Sequence, residues 1–288
     1  MAVISAFRTA GGTVLRNPVI LLVTALFGLI RLPQLLAQTI SPVIAGLLSL
    51  VISFLMIFVT PFFQAGLIGM VNEGIEGKTR LGTLISEGKD HYVSVFGVYL
   101  LIMAVSFVVG IMFVFAAFVG FGTVLATNGE PSLAVLGVFG FLALLVFAVF
   151  FLMFFFLQFY VQAIVIENVG AIDGLKHSYR CVRSHLLSTF GYVILATVVG
   201  SIFGVVGAVT SILTNPSSPS AEMPIALPEP SLGILLALAA LFVVISGLFG
   251  GFMTTYSVAF YREIRVPVSG CPAVPQATFV LSPVLTGT

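Results

Sequence analysis

Gln162-Ala163-Ile164-Val165-Ile166-Glu167-Asn168-Val169-Gly170-Ala171-Ile172-Asp173-Gly174-Leu175-Lys176-His177-Ser178-Tyr179-Arg180-Cys181-Val182-Arg183-Ser184-His185-Leu186-Leu187-Ser188-Thr189-Phe190-Gly191-Tyr192 is the segment whose reading decides the fold. It leaves an apolar helix at Ile166, turns at Glu167-Asn168, runs through a basic stretch and re-enters apolar sequence at Phe190. Ile172, Leu175, Tyr179, Val182 and Leu186 step by three and four residues, which places them on one side of a helix. Asp173, Lys176, Arg180 and Arg183 occupy the other side. The acid stands near the N-terminus and the bases toward the C-terminus, as the helix dipole favours. A basic helix of this kind lies along a membrane surface instead of crossing it.

Composition names the solvent. Hydrophobic residues make up 59% of the 288-residue chain and charged residues only 7%, with a mean hydropathy of +1.23. A soluble domain carries about 25% charged residues, so the bilayer must face most of this surface. A net charge of +1 leaves no broad basic surface for a nucleic acid, and none is expected as a partner. The first apolar run begins only at Pro18, has no clear small-x-small cleavage site and precedes many further spans, so it reads as a span and not a signal peptide. There is no Trp, which leaves Tyr to supply any interfacial aromatic belt.

Working outward, the same pattern of surface helix followed by spans occurs near the N-terminus and near residue 80. Residues 2–16 form a short amphipathic helix, with Ile4, Phe7, Gly11 and Val14 on one side and Ser5, Arg8, Gly12 and Arg16 on the other. Asn17 is the expected cap of the next helix and Pro18 its first residue. The first span runs Val19 to about Gln38. The second runs Val43 to about Val71, with a kink expected at Pro61. Thr79 is the expected cap of a second surface helix carrying Leu81, Ile85, Gly88 and Tyr92 on one stripe. The third span runs from Val93 to about Ala126 and the fourth from Leu133 to Ile166. The fifth runs from about Leu187 to Leu213 and the sixth from Leu232 to about Tyr261. A crossing needs about 20 residues, so the longer spans must tilt, kink or project. The Phe-rich run Phe150, Phe151, Phe154, Phe155, Phe156 and Phe159 reads as lipid-facing bulk. The loops 127–131 and 215–230 fall on the outer side.

Arg8, Arg16, Lys78, Arg80, Lys89, Lys176, Arg180, Arg183, Arg262 and Arg265 all fall on one side of this threading, and the opposite loops hold no Lys or Arg. The positive-inside rule then puts both termini and all three surface helices in the cytoplasm of a multi-pass cell-membrane protein. Cys181 and Cys271 share that reducing compartment, so no disulfide is expected. The predicted fold is all-α: six transmembrane helices and three cytoplasmic interfacial helices in one membrane domain, 1–265, with a flexible tail, 266–288. A threefold internal repeat is expected over 1–74, 75–168 and 169–265. Thr79, Leu81, Ile85 and Lys89 align with Asp173, Leu175, Tyr179 and Arg183, and Phe63-Gln64-Ala65 with Val161-Gln162-Ala163.

The run Val165 to Arg180 resembles the surface-helix segment of a broad group of uncharacterised six-span prokaryotic membrane proteins. It is similar to the membrane domain attached to some glycerophosphodiester phosphodiesterases, and most like a set of haloarchaeal membrane proteins. The resemblance covers nearly the whole chain through loose motifs. The phosphodiesterase barrel and its metal-binding acids have no counterpart here, so that activity is not implied.

Several polar residues are candidates for function. Arg31 is the one basic residue inside a span, about 20 Å along the helix from Asn17 at ~1.5 Å per residue. It reads either as snorkelling to the outer headgroups or as facing the bundle with Gln34 or Gln38. Gln64, Gln158 and Gln162, with Thr254, Thr255 and Ser257, form an inner polar layer, suited to interhelical hydrogen bonds or to lining a cavity. His177, Cys181 and His185 step by four, but the outer two lie about 12 Å apart at ~1.5 Å per residue. One ion cannot take all three, and an interfacial polar face is expected instead. Gly200-x-x-x-Gly204 and Gly247-x-x-x-Gly251 predict a close approach of the last two spans.

No nucleophile elbow, phosphate loop or paired intramembrane carboxylates occur, so no enzyme activity, cofactor or metal is expected. The expected role is to organise lipids or partner proteins at the cytoplasmic face. Anionic headgroups would sit on Arg8, Arg16, Lys176, Arg180 and Arg183. The alternative is a small-solute transporter or channel using the inner polar layer and Arg31.

Overall fold

Apolar runs separated by short polar helices fold as that alternation requires. A computed structural model describes residues 2–30, 33, 41–126, 133–214 and 232–265. Arg31, Gln34, Gln38, most of both outer loops, and the tail from 266 with Cys271 lie outside the described residues. The helices are α1 (Ala2–Arg16), α2 (Pro18–Leu29), α3 (Pro42–Glu76), α4 (Leu81–Asp90), α5 (Tyr92–Ala126), α6 (Leu133–Leu157), α7 (Tyr160–Glu167), α8 (Ala171–Ser184), α9 (Leu186–Thr214) and α10 (Leu232–Ile264). Among the described residues, the stretches Val43–Glu76, Tyr92–Gly120, Gly137–Glu167, Leu186–Val205 and Ala240–Ile264 are long and apolar enough to cross a membrane. The chain is an all-α polytopic membrane protein, with five such spans, or six if the bent pair α1 and α2 is also counted. α3 continues through Pro61 without a break.

α1 and α2 meet at 87°, and Asn17 makes the corner. Its side chain forms no cap on α2, contrary to the sequence expectation. The amide nitrogen instead donates to the carbonyls of Thr13, Gly74 and Gly77 at 3.3, 3.1 and 3.0 Å. Its oxygen accepts from the Thr79 backbone N–H at 3.1 Å. One buried amide thereby satisfies backbone groups at the α1–α2 corner and in the α3–α4 turn, where hydrocarbon and protein offer few alternatives. Thr79 does not cap α4, which begins at Leu81 after Arg80. Its hydroxyl donates to Glu73 at 2.8 Å, as does that of Thr83 at 2.6 Å.

Each short helix packs on the span that precedes it in a closed circuit: α4 on α3, α8 on α7, and α1 on α10. Glycine permits two of the closest approaches. A Cβ at Gly66 of α3 would collide with the Leu84 carbonyl oxygen of α4. One at Gly247 of α10 would lie 2.6 Å from Ala25 Cβ and 2.8 Å from Ala25 Cα in α2. Gly251 faces Leu21 and Thr24 of the same helix, and the Thr24 hydroxyl donates to the Gly247 carbonyl at 2.7 Å. The Gly247-x-x-x-Gly251 motif therefore joins the last span to the first, not to the fifth. Of the other pair, Gly200 has Phe249 at ordinary contact distance and Gly204 has open space.

The short helices bury only part of each apolar stripe. α8 buries Gly174, Ser178, Cys181 and Val182, while Ile172, Tyr179 and Leu186 are exposed. α1 buries Ala6, Ala10, Thr13 and Val14 and exposes Ile4 and Leu15. α4 buries Gly88 and exposes Leu81 and Ile85. Small residues and the valines fill the buried contacts, Phe7, Leu84 and Leu175 also pack on the bundle, and Ile4, Leu15, Leu81, Ile85 and Ile172 are exposed. The Phe-rich run divides similarly: Phe151 and Phe154 are exposed, whereas Phe159 is 1% exposed and packs at tilted angles among Tyr192, Phe260 and Tyr261.

Candidate functional site

The fourth span is broken. Its helix stops at Leu157 and restarts at Tyr160, so Gln158 and Phe159 interrupt what the sequence presents as one continuous run. A break at membrane depth frees backbone groups that lipid cannot satisfy. Ser178 of α8 supplies the partners: its fully buried hydroxyl donates to the Phe156 carbonyl at 2.8 Å and lies 3.2 Å from the Phe159 N–H, which donates to it. A surface helix thus supplies partners at a two-residue interruption of the helical hydrogen bonding within the Gly137–Glu167 span.

Beside the break lies a cavity of about 430 Å³. Gln64 reaches it from α3, Tyr99 from α5, Phe151 and Phe154 from α6, Gln158 from the break and Tyr160 from α7. Gln64 Oε1 and Gln158 Nε2 are buried and have no hydrogen-bond partner. The sequence placed Gln64, Gln158 and Gln162 in one polar layer. The structure brings the first two together at this cavity and directs the third elsewhere: Gln162 Nε2 donates to Ser257 Oγ of α10 at 3.1 Å. Ser257 and Thr255 otherwise donate to carbonyls of their own helix, Thr254 and Gly251.

A second polar junction closes the same end of the bundle. Asn168, in the left-handed conformation at φ 52°, ends α7, and the Val169 N–H reaches back to the Ile164 carbonyl at 3.2 Å, a helix-ending turn of Schellman type. This reversal brings α8 back along α7 and sets His177 Nδ1 against Glu167 Oε2. The Tyr261 hydroxyl of α10 donates to the other oxygen, Oε1. Cys181, buried one turn from His177, donates its thiol to the Ile264 carbonyl at 3.3 Å, and exposed His185 pairs with Ser184 at 2.9 Å. His177, Cys181 and His185 therefore have three different partners, with Cys181 buried and His185 exposed. Next to Tyr261, Arg262 donates to the Asn72 carbonyl at 3.3 Å and to Glu76 at 2.7 Å. The end of α10 consequently ties the α7–α8 hairpin to α3. In the sequence Glu167 marks only the turn into the surface helix; its spacing of ten residues from His177, matched by that of Glu73 from Thr83, is the signal of the contact.

The basic candidates stand on exposed faces. Lys176, Arg180 and Arg183 point away from the bundle on α8, as do Arg8 and Arg16 on α1. Lys176 is 3.5 Å from Asp173, a loose pair in which both side chains are well exposed. Among the described residues, the salt bridges involve neither Arg180 nor Arg183. At 100° per residue, these three bases lie beside Ile172 and Tyr179, on the side opposite buried Ser178.

Residues 1–264 match a family model described as Domain of unknown function (DUF7847). No curated protein and no solved structure matches the chain. The phosphodiesterase-linked membrane domain is not named by this match.

Proposed function

The chain belongs to the DUF7847 family, and we propose that it is a non-enzymatic membrane protein that gathers anionic lipid at the cytoplasmic face through α8. The observation that carries this reading is the exposed row Lys176, Arg180 and Arg183 flanked by exposed Ile172 and Tyr179. Apolar side chains at the headgroup boundary anchor such a helix, and basic residues beside them attract anionic lipid with about 1 kcal/mol each. Arg8 and Arg16 extend the same charge on α1. The cytoplasmic assignment follows from the segregation of Lys and Arg. The non-enzymatic reading is supported by the engagement of the buried reactive groups, Glu167 with His177 and Tyr261, and Cys181 with Ile264.

Replacing Lys176, Arg180 and Arg183 together with Gln should lower the enrichment of phosphatidylglycerol over phosphatidylcholine by more than about tenfold, from three contacts of ~1 kcal/mol each. Mass spectrometry of lipids retained on the purified protein measures this. The unfolding temperature should stay within a few degrees, because exposed charges contribute little to stability. Retention equal to that of the unaltered protein overturns the reading. Solute transport is the second reading, favoured by the cavity at the broken span, since discontinuous helices line the binding sites of many transporters.

A further inference from the structure

We propose that the cavity beside the broken fourth span is a binding site for an uncharged lipid carrying a hydroxyl group. It is a site separate from the cationic face of α8 and does not depend on it.

The chemistry of the walls selects the ligand. The lining contains no Asp, Glu, Lys, Arg or His, so an ionised headgroup would enter without a counter-charge, at a large desolvation penalty. Two polar atoms wait unsatisfied, an acceptor in Gln64 Oε1 and a donor in Gln158 Nε2. A hydroxyl is the smallest group that answers both, since it donates one hydrogen bond and accepts others. A ketone or ether oxygen could satisfy only the donor. Tyr99 and Tyr160 border the same space.

The geometry selects a lipid over a small solute. Phe154 and Phe151 precede Gln158 by four and seven residues, so they continue the same face of the span about 6 and 10 Å from it at ~1.5 Å per residue. They are 53% and 43% exposed, which opens the cavity sideways between the spans, toward hydrocarbon. Gln158, at the interruption, lines the polar end together with Gln64. A hydroxyl held at Gln64 and Gln158 would leave its alkyl chain running past Phe154 and Phe151 into the bilayer. At about 430 Å³ the cavity falls in the size range of small-molecule sites, roughly 300–1,000 Å³.

A diazirine-bearing hexadecanol, photoactivated on the full-length purified protein in detergent, tests this. Labelled peptides should come from α5 to α7. Unlabelled hexadecanol should compete, whereas hexadecane and hexadecyl methyl ether should compete at least about tenfold more weakly, as expected for loss of a buried hydrogen bond. Gln64→Leu and Gln158→Leu should each reduce labelling by a similar factor. Neither should lower the unfolding temperature, because each removes a buried polar atom that has no partner. Equal competition by hexadecane, or labelling unchanged in both variants, would mean nonspecific apolar partitioning and would overturn the proposal. A variant that loses labelling together with its folded state is replaced by Gln158→Glu. That variant keeps the polar contact, is neutral at low pH and gains a charge as the pH rises; it should take up the alcohol at low pH and lose it at high pH, and labelling that does not change with pH also counts against the site.

Discussion

Gly247→Leu should separate the first and last spans and lower stability by about 3 kcal/mol or more, the upper part of the range for overpacking. The side chain has nowhere to go. Even the first carbon it adds would sit 2.6 Å from Ala25 Cβ, 2.8 Å from Ala25 Cα and 3.0 Å from the Ala25 backbone nitrogen. Two of those atoms belong to the main chain of α2, so rotamer changes cannot relieve the contact and the helices must move apart. Parting them also breaks the 2.7 Å hydrogen bond from Thr24 to the Gly247 carbonyl. In membranes, helices adhere by close packing and such bonds, because lipid is as apolar as the helix surface and burial supplies little drive. Gly250→Ala is the matched control. Its Cβ would stand 3.8 Å from Thr24 Cβ, an ordinary contact, so a nearly unchanged melting curve is expected. Thermal unfolding of both variants in detergent measures the difference, and equal losses would show that the α2–α10 seam does not control stability.

Glu167→Ala should also be damaging, with a loss of about 1–3 kcal/mol for each polar group left without its partner. Glu167 serves two helices at once, holding His177 of α8 through one oxygen and Tyr261 of α10 through the other. Its side chain is 12% exposed and that of His177 is 15% exposed, so water cannot readily replace the missing carboxylate. The alanine variant strands the Tyr261 hydroxyl beside Phe159 and Phe260 and leaves His177 without its partner. Glu167→Gln retains an acceptor for Tyr261 and should recover part of the loss. Melting temperatures of the two variants, with limited proteolysis of the α7–α8 turn, distinguish them. An alanine variant as stable as the unaltered protein would sink the assignment of Glu167 as the tie between these helices.

Helix identity and the clustering of charge were legible because they rest on long apolar runs and on where Lys and Arg fall. The facing of the surface helices was not. Hydropathy marks Ile172 and Tyr179 as apolar, but it cannot tell a lipid contact from a protein contact, since both environments are hydrocarbon-like. Small residues such as Gly174 and Ser178 mark the protein side, and they do so by size. The break at Gln158-Phe159 was invisible for another reason. Phe154-Phe155-Phe156-Leu157-Gln158-Phe159-Tyr160 contains no Gly or Pro, and the groups that satisfy its open backbone come from Ser178, about 20 residues away. Pro61, by contrast, lies inside α3, which continues through it. The polar residues of the cavity were recognisable as unusual. Their separation into Gln64 with Gln158 at the cavity, and Gln162 with Ser257, depends on which helices meet.

The seam between α2 and α10 also has a consequence in time. Thr24 and its acceptor Gly247 are 223 residues apart in the chain. At synthesis rates of about 5–20 residues per second, α2 exists for roughly 10–45 s before the glycine face that covers it has been made. The Thr24 hydroxyl is provided for in that interval, since it also reaches the Ile20 and Leu21 carbonyls of its own helix at 3.0 Å. The first span can therefore wait in lipid with no unsatisfied group on its future contact face, and the ring of helices is closed by the last one to be synthesised.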